Sequence, residues 1–192
     1  MEEQNIMIQL INQTVMHSYP GMVALVTVSH GEENNIMAAG WHSYISYQPP
    51  IYGVSIGRER HTHQLVKSAG KFAINFVPFD KSALIQQAGV YSGSEVNKFE
   101  KANIRFNSGS ATNSPILRDA YIAYECEVID INSYGDHDWF VANIVQFYRD
   151  ADKFLENGMP NFDKLTIPLY LGRSTYTNVN QHSDFVSHKI EE

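Results

Sequence analysis

Apolar positions along the chain fall into short alternating runs more often than into helical stripes. Met22–Ser29 (MVALVTVS) is β-branched and apolar, which predicts a strand. The polar HGEENN of His30–Asn35, with Gly31 inside it, predicts a turn, and Ile36–Trp41 a second strand, so the two read as a hairpin. Pro49 and Pro50 break the chain before Ile51–Gly57, a strand whose Gly53 and Gly57 leave backbone accessible. THQLVKSAG predicts a helix, with Thr62 as its N-cap and Gly70 as its stop. Lys71–Phe79 reads as a strand ended at Pro78, and DKSALIQQAG as a second helix, capped by Asp80 and stopped near Gly89. Tyr91–Pro115 is a long polar connection with one helical turn at Val96–Lys101. Ala120–Ile131 and Asp138–Arg149 are two further strands, joined through the turn Ser133–His137. Leu165–Gly172 is a short apolar piece, followed by STYTNV. Six or more strands with two or three short helices predict a mainly β protein, an antiparallel barrel with helical inserts.

Composition narrows the function classes. A chain of 192 residues fits one domain, 1–192, with a real core. The net charge of −7 comes from scattered acidic residues, which argues against a broad nucleic-acid surface while leaving room for one bound phosphate. Cys126 is the single cysteine, so an intramolecular disulfide and a Cys-rich metal site are excluded, and its alternating surroundings predict a buried thiol. MEEQNIMIQL lacks the basic start and apolar run of a secretion signal, and no segment approaches the about 20 apolar residues that cross a bilayer. The expectation is a cytoplasmic protein without a membrane partner.

Several chemistries fail on spacing. His61 and His63 are two apart at a loop-to-helix junction, where their side chains diverge, and no H-x-x-x-H or cysteine partner supports zinc, so no metal is expected. There is no G-x-S-x-G elbow for a hydrolase, no phosphate-binding G-x-x-x-x-G-K-[ST], and no G-x-G-x-x-G of a dinucleotide fold. RERHT (Arg58–Thr62) does place Arg60 and a hydroxyl just before a predicted helix, where free N–H groups attract anions, although a solvated turn with a threonine cap has the same composition. Lys98 reads by itself as a surface lysine and His137 as a hairpin-turn residue. In NNIMAAGWHSYISYQPP, Ala38, Ala39 and Gly40 would let a flat ligand approach the main chain, with Trp41 packing at its edge.

Taken in order, these residues resemble the flavin reductase-like, FMN-binding split-barrel family, and the flavoredoxin-like branch in particular. The pattern runs through Asn35, Met37, Ala38, Ala39, Gly40 and Trp41, then Pro49 and Pro50. It continues through Arg60, Thr62 and Leu65, Phe72–Asn75, Ser92–Phe99, Glu125–Val128, Gly135–His137 and Tyr170–Gly172. It spans roughly Tyr19 to Val179. The resemblance implies a six-stranded Greek-key split barrel with flanking short helices, and a homodimer with non-covalent FMN near its interface. By position it implies that Asn35 and Trp41 flank the isoalloxazine and that backbone of Ala39, Gly40, Trp41, His42 and Ser43 meets its polar edge. Thr62 and Lys98 would hold the phosphate end with Arg60 beside them, His137 would lie near the flavin, either to tune it or to steer a second substrate, and Tyr170 would add a ring, from the same chain or from the partner. Ala38 and Gly40 stand where the family often has threonine and serine, and Ala142 where glycine is common, so the site would bind through backbone where hydroxyls are missing.

The resemblance further implies an oxidoreductase in which NAD(P)H reduces bound FMN and the electrons pass to a second acceptor, a small molecule or a redox protein. Two readings stand beside it: an electron carrier of the flavoredoxin type without NAD(P)H turnover, and a non-catalytic binding module for FMN or haem. No side chain is assigned as catalytic.

Overall fold

In a computed structural model, residues 11–14 and 20–188 are described. The N-terminal MEEQNIMIQL and Tyr19 lie outside them. The first hairpin pairs β1 (Ala24–His30) with β2 (Glu33–Ala39), Ala24 standing opposite Ala39. Its turn is only Gly31–Glu32, shorter than the polar run suggests, because the edge strand tolerates Glu33 and Asn34 as exposed members. Gly31 supplies the left-handed backbone that the tight turn needs, with φ +60°. After Gly40 and Trp41 comes a strand that the apolar pattern does not show, β3 (His42–Ser46), followed by β4 (Ile51–Gly57).

The chain then builds α1 (His61–Ala69), β5 (Lys71–Phe76), α2 (Ser82–Val90) and α3 (Lys98–Lys101). The polar connection holds a small hairpin of β6 (Phe106–Ser108) and β7 (Pro115–Leu117). The long strands β8 (Ile122–Tyr134) and β9 (His137–Arg149) leave only Gly135 and Asp136 as their turn. A last hairpin, β10 (Ile167–Gly172) and β11 (Thr175–Val179), completes the fold.

Seven strands form one antiparallel sheet in the order β2-β1-β5-β8-β9-β4-β3. β2 and β3 occupy opposite edges, yet two residues separate them in sequence. The chain therefore bends at Gly40–Trp41 and links the two edges of the curved sheet, where the Ser55 N–H donates to the Trp41 carbonyl at 2.9 Å. Counting β2 and β3 as one bent strand gives the six-stranded split barrel. The mainly β expectation and the split-barrel architecture both hold.

Alternation assigns the two faces of the sheet. Ala24, Val26 and Val28 of β1 point into the barrel with Val54, Ile56, Phe72, Ile74 and Phe140, and α1 adds Leu65 and Val66 to that core. Leu25 and Ile36 face the other way and are covered by Ile85 and Ala88 of α2 and Phe99 of α3. Cys126 lies fully buried in the barrel, where burial, with the Glu125 charge adding to it, pushes its thiol far up.

Two expected helix caps are absent. Arg60 is the N-cap of α1 and makes no side-chain capping bond, so Thr62 lies inside the first turn; the Gly70 stop is as expected, with φ +66° and its N–H on Val66. Asp80 sits in a 3₁₀ turn that precedes α2, whose N-cap is Lys81. Buried polar side chains pin the polar connection to the sheet. Asn75 donates to the Leu25 carbonyl at 3.3 Å and Thr27 Oγ1 at 3.0 Å, and accepts from the Leu117 N–H at 2.9 Å. Glu125, fully buried, accepts from the Thr112 hydroxyl at 2.6 Å, from the Tyr148 hydroxyl at 2.5 Å and from the N–H groups of Ala111 and Thr112. Burial opposes its charge, but these donors outweigh burial and hold its carboxyl below the usual range. No helix among the described residues is long and apolar enough to cross a membrane.

Candidate functional site

The bend that links the sheet edges opens onto a cavity of about 370 Å³. One wall is the end of β2 and the bend itself, Met37 to Trp41, with Ser55 and Gly57 of β4 beside it. Glu59 and Arg60 lead into the first turn of α1, which contributes His61 and Thr62. The end of α2, the following loop to Gly93, Lys98 and His137 complete the lining. Trp41 remains 45% exposed and packs on His137 at the mouth, with ring centroids 4.9 Å apart.

The start of α1 is built to face an anion. No side chain caps it and its first turn carries no acidic residue; the His63 N–H turns back to the Arg60 carbonyl at 2.9 Å, and the helix dipole is left without a carboxylate in that turn. The Thr62 hydroxyl accepts a hydrogen bond from Asn35 Nδ2 at 2.9 Å. With that acceptor site taken, its own proton is available to the cavity that Thr62 lines. Asn35 is in turn held by Gly93, where any Cβ would collide with its amide.

Lys98 is not the surface lysine that its polar neighbours suggest. It is 6% exposed and donates from Nζ to the carbonyls of Ile36 at 2.7 Å and Ala88 at 2.9 Å, tying β2 to the end of α2. An ammonium carries three donors, so one remains for the cavity. Burial, with the Arg60 charge adding to it, lowers its pKa to about 8.

A buried carboxylate organises the opposite rim. Asp138 takes Arg58 Nε at 2.9 Å, His63 Nε2 at 2.8 Å and the Ser133 hydroxyl at 2.8 Å. The Arg58 bond, followed by those from His63 and Ser133, holds its carboxyl far below the usual range. Arg58 also reaches the Gly135 carbonyl at 2.6 Å, so the turn before His137 is fastened to the loop before α1. Arg58 and His63 lie 80 and 75 residues from Asp138, and no local spacing announces the pairing.

Of the residues singled out in the sequence, the cavity brings together Ala39, Gly40, Trp41, Arg60, Thr62, Lys98 and His137. Asn35 does not line it and acts through Thr62 instead. His42 points away from it, with Nδ1 2.6 Å from the Tyr52 hydroxyl and Nε2 3.2 Å from the Met22 carbonyl; burial lowers its pKa. The Ser43 hydroxyl donates to the Tyr44 carbonyl. Tyr170 lines a neighbouring cavity of about 410 Å³. Ser55, Glu59, Gly89 and Gly93 also line the first cavity; none was singled out as a site residue in the sequence, although Glu59 lies within RERHT and Gly93 within Ser92–Phe99. Among the described residues no group of three or more His, Cys, Asp or Glu is placed to hold a metal; His61 instead meets Glu33 at 2.6 Å.

A family model, the flavin reductase like domain, matches residues 16–180. The FMN-binding protein of Thermus thermophilus, solved with 1-cyclohex-2-enone bound, is 33% identical with a TM-score of 0.81, covering 94% of this chain and all of that one. The flavoredoxin of Desulfovibrio vulgaris (Miyazaki F) has a TM-score of 0.82 at 22% identity, over 94% of this chain and 97% of its own, and shares the fold. An uncharacterized protein of Pyrococcus abyssi is 33% identical over 143 residues, 74% of this chain and 81% of its own. With the barrel, the bent strand and the match over nearly its whole length in place, the chain belongs to the flavin reductase-like family.

Proposed function

We propose that the cavity holds one non-covalent FMN and that the protein is an NAD(P)H-dependent oxidoreductase that passes electrons to a second acceptor. The observation that carries this reading is the convergence of Arg60, Thr62 and Lys98 on the uncapped start of α1, opposite the small-residue wall of Ala38 to Gly40. Three donors and a helix N-terminus suit a phosphate, and the wall suits a flat ring. When bound, FMN supplies two-electron redox chemistry.

The chain's residues do the holding and orienting. Arg60, Thr62 and Lys98 would bind the phosphate, with Asn35 directing the Thr62 proton. Backbone at Ala39–Trp41 would meet the polar edge of the ring, and Trp41 with His137 would cover its exposed side. The absence of hydroxyls at Ala38 and Gly40 leaves that contact to main-chain groups. Donor groups fixed in place before binding favour the form that carries more negative charge.

A homodimer belongs to the same proposal. Tyr44 of β3 and Phe147 of β9 are exposed aromatic side chains that meet across Tyr124, at centroid distances of 5.7 and 5.4 Å, as an apolar patch. A second copy is its proposed occupant, and sedimentation equilibrium at twice the chain mass supports it. The cytoplasm, where reduced nicotinamides are kept, is the proposed setting.

Anaerobic stopped-flow mixing of FMN-loaded protein with NADH or NADPH tests the activity. Rapid loss of the visible flavin band supports the reductase. No bleaching by either nicotinamide, with full bleaching by dithionite, sinks the reductase and leaves an electron carrier of the flavoredoxin type.

A further inference from the structure

The second cavity adjoins the first, sharing Ala38, Gly40, Trp41, Arg60, Gly89 and Val90 with it, and then departs from it between α2 and the β10–β11 hairpin. Its walls are flat rings: Trp41 on the shared side, Tyr170 and Tyr176 on the other, the two tyrosines 5.0 Å apart by centroid. The hairpin is fastened in place, since Gln86 of α2 donates to the Ser174 hydroxyl at 2.9 Å and accepts from the Tyr176 hydroxyl at 3.1 Å. Gly21 closes the far end, bonded in both directions to the Tyr170 backbone at 3.2 and 2.7 Å.

The charge in this cavity is one-sided. Among the described residues Arg60 is its one ionic lining residue, and no carboxylate lines it. Arg60 meets Glu59 through Nε at 3.0 Å, and both side chains are more than half exposed, so that pair is weak; the two terminal nitrogens stay open, one for the phosphate proposed in the first cavity and one for an oxygen anion in the second. Aromatic faces with one fork-shaped cation select a flat molecule that carries a carboxylate, phenolate or enolate oxygen.

We propose that this second cavity binds a planar aryl anion, set against Arg60 and stacked between Trp41 and the two tyrosines. Its role as the site of the second substrate rests on the FMN reading of the first cavity; binding of the anion does not.

Naphthoate is the probe, titrated by calorimetry into both FMN-free and FMN-loaded protein. Naphthylmethanol serves as its neutral counterpart and cyclohexanecarboxylate as the anion without a flat ring. One charge-assisted bond predicts naphthoate to bind about tenfold more tightly than naphthylmethanol. Gly21 lines the second cavity and not the first, and a Cβ there meets nothing within 4 Å among the described residues, so Gly21→Phe has room for its ring and is expected to narrow the second cavity. It is expected to weaken naphthoate at least tenfold while FMN affinity stays unchanged, and Tyr176→Ala to weaken naphthoate by removing a wall.

Equal affinity for naphthoate and naphthylmethanol overturns the proposal. So does full naphthoate affinity in Gly21→Phe, or displacement of FMN by naphthoate. Protein that takes FMN but no naphthoate overturns this inference and leaves the FMN reading standing. Protein that takes naphthoate but no FMN does the reverse.

Discussion

Replacing Lys98 with methionine keeps the volume of the stem and removes the ammonium. Two buried carbonyls, Ile36 and Ala88, then lose donors that stand at 2.7 and 2.9 Å. An unpaired buried acceptor costs about 1–3 kcal/mol, so the pair costs about 2–6, and relief from burying a charge returns part of it. A net loss of about 2–3 kcal/mol in a chain of this size lowers Tm by roughly 4–12 °C. FMN binding loses one charge-assisted bond, about 1.5–3 kcal/mol, or roughly ten- to a hundred-fold in Kd. The pH dependence has opposite signs for the two quantities. Lys98 titrates at about 8, below the ordinary lysine value, because burial and then Arg60 disfavour its charge. Between that value and about 10.4 the unfolded chain holds a proton the folded chain has released, so this group's contribution to stability rises with pH. FMN affinity falls over the same window as the cation is lost. Lys98→Met removes both slopes. Thermal melts and quenching of FMN fluorescence, each at about pH 7 and about pH 9, read these effects. A variant that melts within about 1 °C of the parent and binds FMN equally well at both pH values refutes the reasoning.

Glu125 has a folded pKa below its unfolded one, so its contribution to stability is present above about pH 4.3 and is lost as pH falls through the folded value. Glu125→Gln should therefore be less stable at neutral pH and flatter on the acid side in urea titrations; an unchanged acid limb would mean another carboxylate controls it. In Gly93→Ala the new Cβ meets the Asn35 amide, so Asn35 loses its place on Thr62. FMN affinity should fall about three- to tenfold, the size of one hydrogen bond, with little change in circular dichroism; unchanged affinity would show that Asn35 does not act through Thr62.

The barrel was legible where strands alternate and turns carry glycine: β1, β4, β5, β8 and β9 all lie where the apolar pattern puts them. β3 was not, because all five of its residues, His42 to Ser46, stay at least partly outside the core and make no apolar run. The β6–β7 hairpin was hidden for another reason: its place depends on Asn75, more than 40 residues away, whose amide accepts from Leu117. The site was legible as a set of donors but not as a geometry. Lys98 looks polar in sequence and is buried because its ammonium is held by the Ile36 and Ala88 carbonyls, and Asn35 reaches the site through a hydroxyl that local spacing does not reveal. The Arg58–Asp138–His63 network needs β9 beside β4 before its members can meet.

The cavity between the bent strand and α1 is proposed as a phosphate-anchored FMN site. Visible spectra of the purified protein, recorded during titration with FMN, test it most directly, alongside the double variant Thr62→Ala, Lys98→Ala. The expected result is a two-banded flavin spectrum that saturates at one FMN per chain, and a double variant that keeps its β circular dichroism but binds FMN at least tenfold more weakly. A Soret band, a protein that stays colourless in excess FMN, or a folded double variant with full affinity would contradict it.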